Sequence, residues 1–137
     1  LPVGVAISED TTCQDITGNR ALLAHFEVTP QDNISASAPE ATAAGRLVRY
    51  FQHGRELHAD ELPLQRAVAE NRVIPSMELA VQIPSGRHWW AEITGAPLRD
   101  AKNQVIGGLA VVADITERQR AEAALRALLD EKEVLLR

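Results

Sequence analysis

The sequence predicts an α+β fold in which short strands and helices lead into three neighbouring antiparallel strands and a final amphipathic helix. Three observations carry this. The runs at residues 77–83, 88–96 and 105–113 are rich in aliphatic and aromatic residues and are separated by turns of hairpin length. A helical charge pattern over residues 117–137 follows the last of these strands with no linker. Two stretches nearer the N-terminus carry helix start signals.

Residues 2–7 (PVGVAI) form a short β-branched run and predict the first strand. Residues 11–17 (TTCQDIT) predict a second, weaker one. Gly18-Asn19 is turn chemistry that can start a helix at Arg20, and Ala21, Leu22, Leu23 and Phe26 give that helix an apolar face. Residues 29–45 are rich in Ala, Ser and Pro without a period and predict a loop. Asn33-Ile34-Ser35 matches a glycosylation sequon, which is read as incidental in a chain with no secretory features. Residues 47–51 (LVRYF) predict a short strand, and His53-Gly54 a turn. Asp60 sits where a helix cap belongs and Pro63 in the first turn. Leu64, Ala67 and Val68 then give the buried stripe, and Glu70-Asn71 the end.

The last of the three C-terminal strands is apolar on both faces, so both sides of the sheet are expected to be covered there. Gly107-Gly108 lies inside it, without phosphate-loop spacing, and is read as a place of close backbone approach. In the final helix Thr116 and Gln119 fit a capping box, and Glu117 suits the helix dipole. Ala121, Leu125, Leu128, Lys132 and Leu135 recur at alternating spacings of four and three, a heptad seam that Leu129 and Leu136 widen. Glu122–Arg126 and Glu133–Arg137 are i,i+4 pairs in the favourable order. Such a stripe packs either on its own domain or on a partner helix.

Composition narrows the function classes. At 137 residues and 45% apolar content the chain supports one core, and 4% aromatics leaves aliphatics to fill it. A net charge of −5 argues against a nucleic-acid footprint. The single Cys13 excludes an internal disulfide and a cysteine metal cluster, and sets a reducing, cytoplasmic expectation. No apolar run is long enough to span a membrane. The sequence opens at Leu1 inside an apolar run and reads as a piece of something longer.

Five segments taken in order carry a resemblance. They are Gly86-Arg87-His88-Trp89-Trp90, Ala96-Pro97-Leu98-Arg99-Asp100, Val105-Ile106-Gly107-Gly108, Asp114-Ile115-Thr116-Glu117-Arg118 and Arg120-Ala121-Glu122-Ala123-Ala124-Leu125. Together they resemble the last two strands and the signalling-helix start of a PAS domain, closely over residues 86–125 and loosely elsewhere. The resemblance implies a PAS fold: a five-stranded antiparallel sheet with short helices on one face and a C-terminal signalling helix. It implies a sensor domain over residues 1–115 and an amphipathic, coiled-coil helix over residues 116–137.

A narrower resemblance rests on Gly54-Arg55-Glu56-Leu57, Glu61-Leu62-Pro63-Leu64-Gln65-Arg66-Ala67 and Glu131-Lys132-Glu133-Val134-Leu135-Leu136-Arg137. These segments resemble the PAS modules of bacterial HWE and HisKA_2-type sensor histidine kinases, the last one preceding the phosphoacceptor histidine. This implies an input module without catalytic residues of its own. ATP binding and contact with a response regulator would belong to the parent kinase.

Carried onto this sequence, the PAS resemblance places Leu79, Val81, Ile83, Trp89, Ala91, Ile93, Gly108, Ala110 and Val112 on the wall of a pocket for a small organic ligand. Alternation sends Trp90, Leu109 and Val111 outward, where an apolar patch calls for cover by the exit helix or a second subunit. A homodimer through the C-terminal helix and outer sheet face is expected. Asp114 and Thr116 are expected at the signal junction, Thr116 as helix cap and Asp114 accepting from turn backbone or pairing with Arg99 or Arg118.

No cofactor is expected. His25, His53, His58 and His88 lack metal-ligand spacing. Haem-binding PAS domains need a ligand near the long helix, and residues 63–71 contain no His. Flavin photochemistry of the light-oxygen-voltage kind needs a helical cysteine motif, whereas Cys13 falls in a predicted strand and reads as a small core residue. Trp89 reads as packing, with ligand stacking as the alternative. The rival function is a ligand-free PAS dimerisation or spacer module; the small residues Ala91, Gly108 and Ala110 leave room and favour a sensor. An enzyme would need an inward Asp, His or Tyr, and the sequence places none.

Overall fold

The computed structural model describes residues 3–135, with side chains through Glu133. Pro2, Leu136 and Arg137, assigned above to the first strand, the helical stripe and an ion pair, lie outside the described residues. The elements are β1 (Gly4–Ser8), β2 (Thr17–Gly18), α1 (Arg20–Phe26), β3 (Arg49–Gln52), β4 (Arg55–Glu56), α2 (Pro63–Glu70), β5 (Ile74–Gln82), β6 (His88–Arg99), β7 (Val105–Asp114) and α3 (Thr116–Leu135). Short 3₁₀ turns occupy Ala44–Leu47 and Ala59–Glu61. One antiparallel sheet runs β2-β1-β7-β6-β5-β3-β4. Its five inner members fall in five of the predicted runs; β2 and β4, two residues each, lengthen the edges and make the count seven.

The hairpins that order β5, β6 and β7 are fixed by turn chemistry. Gly86, at φ +91°, supplies the left-handed residue of the β5–β6 turn. At the β6–β7 turn the Asp100 carboxylate accepts from the Lys102 and Gln104 backbone N–H groups, both at 2.9 Å, and Asn103 takes φ +64°. The register pairs Val81 with Trp89, Leu79 with Ala91, and Ile93 with Val112, which stacks the inward residues into one face.

The structure departs from expectation in three local places, each for a polar reason. Residues 11–16 are a loop rather than a strand. The Asp10 carboxylate collects the N–H groups of Thr12, Gln14 and Asp15 at 3.0, 3.1 and 3.3 Å, and Cys13 takes φ +57°, which no strand permits. Asn33 is a staple: its Oδ1 accepts from Ile16 and Ser35 N–H, both at 3.0 Å, and its amide donates to the Gln14 carbonyl at 2.8 Å. Asp60 is not the cap of α2 but part of the preceding 3₁₀ turn; Leu62 occupies the cap position and Pro63 begins the helix. The expected start at Arg20 is present, with Asn19 Oδ1 accepting from Leu22 N–H at 3.1 Å.

Helix α2 lies across β6 and β7 on two glycines. A Cβ at Gly95 would stand 2.2 Å from the Pro63 carbonyl oxygen, and one at Gly108 would stand 2.6 Å from Val68 Cγ2. Backbone therefore rests on backbone at Gly95, and side chain on backbone at Gly108. Gly95→Ala is expected to destabilise the chain by about 1 to 3 kcal/mol, because helix and sheet must separate to admit the methyl. Gly108→Ala meets only side-chain ends and costs less. Urea unfolding at constant m-value measures both; equal, negligible losses would contradict this packing.

Candidate functional site: a buried cavity and a strand-to-helix joint

The helices and the loop between α1 and β3 border a small, half-open cavity of about 50 Å³ against the sheet. Leu22 and Phe26 come from α1, Leu62, Leu64 and Gln65 from the start of α2, and Ile16 and Ile34 from the loops. Tyr50, Ile93, Ala110 and Val112 rise from the sheet below. No Asp, Glu, Lys, Arg or His lines it. Tyr50 is buried and its hydroxyl has no hydrogen-bond partner among the described residues; burial pushes its phenol well above the ordinary value, so it stays protonated and able to donate. The Gln65 amide reaches the Ser37 hydroxyl at 3.4 Å, a long contact. The lining thus suits an uncharged, mostly apolar guest with one or two polar atoms.

All nine residues assigned to the pocket wall are buried, but the structure distributes them over different surroundings. Ile93, Ala110 and Val112 line the cavity. Leu79, Val81 and Ala91 are within the core, away from it. Ile83 borders a separate surface groove with Phe26 and Val48. Gly108 lies under Val68 and Leu64, and Trp89 packs on Phe26 and edge-on to His25, ring centroids 6.3 and 4.7 Å apart. Sequence reasoning missed the helical and loop half of the lining. It also found no inward tyrosine, yet Tyr50 is one; the spacing of two from Val48, another buried residue of the same short run, is the signal that identifies it.

The joint between β7 and α3 is built on two hydroxyl bonds. Thr116 Oγ1 donates to Asp114 Oδ1 at 2.6 Å and accepts from the Trp90 N–H at 3.0 Å. Asp114 Oδ1 also accepts from the Thr116 N–H at 2.9 Å, and the Ile115 N–H donates to the Trp90 carbonyl at 2.9 Å. The turn is therefore stitched to β6 as well as to β7. Gln119 does not close a capping box; its amide donates to Glu78 on β5 at 2.6 Å. Arg99 pairs with Asn71 and Arg118 with Glu78 and Glu92, so neither reaches Asp114. The partner of Asp114 is His25 of α1, Nε2 to Oδ2 at 3.0 Å. Burial acts to raise the Asp114 carboxyl, but hydrogen bonds from the Thr116 hydroxyl and N–H and from His25 outweigh it and hold the carboxyl below its usual value.

Outside these two features the chemistry is quiet. Cys13 is buried in the β1–β2 loop, and burial followed by the nearby Asp10 charge pushes its thiol up, away from reactivity. Trp90 and Val111 are exposed on the outer sheet face and Leu109 half-buried. Residues 120–133 of α3 are exposed, including Ala121, Leu125 and Leu128; the side chain of Leu135 lies outside the described residues. Among the described residues no helix is long and apolar enough to cross a membrane.

An antiparallel sheet bearing two short helices over a small cavity, with a joint leading into a long helix, defines a single-sheet α+β module. The chain belongs to the PAS family, whose profile, described as the PAS fold, matches residues 1–120. Solved structures repeat the architecture. A sensory box histidine kinase/response regulator from Burkholderia thailandensis aligns at 16% identity and TM-score 0.56, covering 96% of this chain and 90% of that one. The PAS domain of the fruit-fly ELK potassium channel aligns at 13% identity and TM-score 0.58, covering 82% and 86%. A light-oxygen-voltage domain studied with a flavin analogue aligns at 17% identity and TM-score 0.59, covering 93% and 87%. No curated protein matches the chain.

Thr116→Val keeps the side-chain shape and removes both hydroxyl bonds. It is expected to cost about 1 to 2 kcal/mol, because the Trp90 N–H is left unpaired. Amide hydrogen exchange at Trp90 should accelerate with it; unchanged exchange there would show that the hydroxyl does not hold the joint.

Proposed function

We propose that this chain is the sensory input module of a bacterial two-component histidine kinase of the HWE or HisKA_2 type. In this reading residues 1–115 hold a small, uncharged organic ligand, and residues 116–137 carry the change out as one helix of a homodimer. The observation that supports it most is continuity along β7. Ala110 and Val112 line the cavity, and two residues after Val112 the same strand ends in Asp114, which binds Thr116 at the first residue of α3. A guest that shifts β7 therefore acts on the root of the helix. The kinase assignment draws on the sequence segments around Gly54 and Glu131. The histidine kinase relative shares the architecture, and in this reading the kinase region, with its ATP site and response regulator, follows residue 137 in the cytoplasm.

Among the described residues the lining contains neither His nor Cys, so it offers a haem iron no imidazole or thiolate and a flavin no thiol, which favours a metal-free organic guest. The dimer reading draws on the exposed Leu125, Leu128 and Leu129 of α3, 56 to 60% accessible, and on the outward Trp90, Leu109 and Val111. A ligand-free dimerisation or spacer module is the second reading; a cavity of only about 50 Å³ is the feature that favours it.

Native mass spectrometry of the purified chain, with its absorption spectrum, separates the two. A bound small-molecule mass without visible absorption is expected. A bare protein mass that no small-molecule extract changes would leave the spacer reading. Leu128→Asp is expected to convert a dimer to a monomer in sedimentation at micromolar concentration; a variant that stays dimeric removes the seam from this account.

A further inference from the structure

His25 is held by two acceptors at once. Its Nδ1 lies 3.1 Å from the Ala21 carbonyl oxygen, one turn back on α1, and its Nε2 lies 3.0 Å from Asp114 Oδ2. A neutral imidazole has one N–H and one lone pair, so it can serve only one of these partners. The imidazolium serves both. A backbone carbonyl cannot donate in return, and the hydrogen bonds that hold the Asp114 carboxyl below its usual value keep it ionised and accepting.

The surroundings leave Asp114 as the group that answers the ring. The residues that close around it are Gly4 of β1, Leu22 of α1, Trp89 of β6, and Val112 and Asp114 of β7. Past the end of α1, Glu27 is taken up by Arg87, with which it pairs at 3.4 Å. The Trp89 ring stands edge-on to the imidazole, and its buried Nε1–H has no partner among the described residues.

We propose that the proton is a second input to this module: taken up at His25, it latches α1 to the strand-to-helix joint. The proposal rests on the reading of Asp114 and Thr116 as the output joint. Its sign follows from the proton count. The doubly bonded ring carries one proton more than the neutral ring, so acid favours the charged latch and alkali reduces it to one neutral hydrogen bond at most. Without the second donor, either α1 loses its tie to Asp114 or the ring swings free of Ala21. In both cases the Asp114 carboxylate loses the only charge facing it among these residues, and its hold on Thr116 changes.

The test is long-range ¹H–¹⁵N spectroscopy of the wild-type chain from about pH 5.5 to about pH 8.5, following the imidazole nitrogens, the Trp89 indole N–H and the backbone amides of Trp90 and Thr116. At the acid end both nitrogens of His25 should be protonated. The indole and the two amides should then move with the same midpoint as the ring. In His25→Gln, whose side chain keeps a donor but cannot titrate, that phase should vanish from a spectrum otherwise unchanged. A His25 ring with one protonated nitrogen throughout overturns the proton site. Trp90 and Thr116 amides that stay fixed while the ring titrates overturn the latch. Failure of the joint itself is seen separately, as amides of α3 that do not respond to Thr116→Val while the His25 titration persists.

Discussion

The close approach of α2 to the sheet governs most of what this domain can do. At Gly95 the helix backbone touches the strand backbone, and at Gly108 Val68 and Leu64 fill the space a side chain would take. With α2 seated so low over β6 and β7, little volume remains beneath it. The remaining space is displaced toward α1, β1 and the loop at Ile34, and it is correspondingly small. Besides displacing the loop at Ile34, a guest can enlarge it by raising α2 or by moving α1. The first breaks packing worth a few kcal/mol, since core contacts of this kind cost that much to disturb. The second displaces a seven-residue helix that is anchored mainly by Asn19, by the buried Leu22, Leu23 and Phe26, and by His25.

The strands and helices were legible in the sequence because their signals are local. Hairpin turns at Pro84-Ser85-Gly86 and after Asp100, the Asn19 cap and the Pro63 start each act within a few residues. The alternation that divides Trp89 from Trp90 reads equally well, since one is buried and the other exposed. The misreadings share a different cause. The 11–17 run has strand-forming residues, but the Asp10 carboxylate offers its backbone a competing set of hydrogen bonds, and propensity loses. Asn33 looked like a spent sequon, yet it staples a loop to residues 17 and 19 positions away. Half of the cavity lining comes from α1, α2 and the loops, whose inward faces depend on how the layers dock and not on local pattern.

The joint shows the same limit. The Asp-Ile-Thr segment was readable as a junction, while the partner of Asp114 was not, because His25 lies 89 residues earlier. Arg99 and Arg118 were the charge-matched candidates near it in sequence. Each is drawn off by a nearer partner, Arg99 by Asn71 at the C-terminal end of α2 and Arg118 by the carboxylates of β5 and β6. A half-buried histidine on a helix carries no sequence signal that separates an ion-pair partner from a packing residue.

These contacts differ in how firmly they fix α3. The Arg118 ion pairs are roughly half exposed, and pairs of that kind contribute about 0 to 1 kcal/mol. The Thr116 bonds are exposed too, but they are short and breaking them leaves a strand N–H without its side-chain partner, so each is worth about 0.5 to 1.5 kcal/mol. From residue 120 to residue 133 the helix is exposed. Its direction therefore depends on a handful of bonds at one end, totalling a few kcal/mol. Coupling energies between distant sites are typically about 1 to 3 kcal/mol. A shift of that size in β7, or the gain or loss of the His25 tie to Asp114, is on the same scale as what holds the helix. Because α1 lines the cavity with Leu22 and Phe26 and grips the joint with His25, movement of that one wall reaches the helix root through a single side chain.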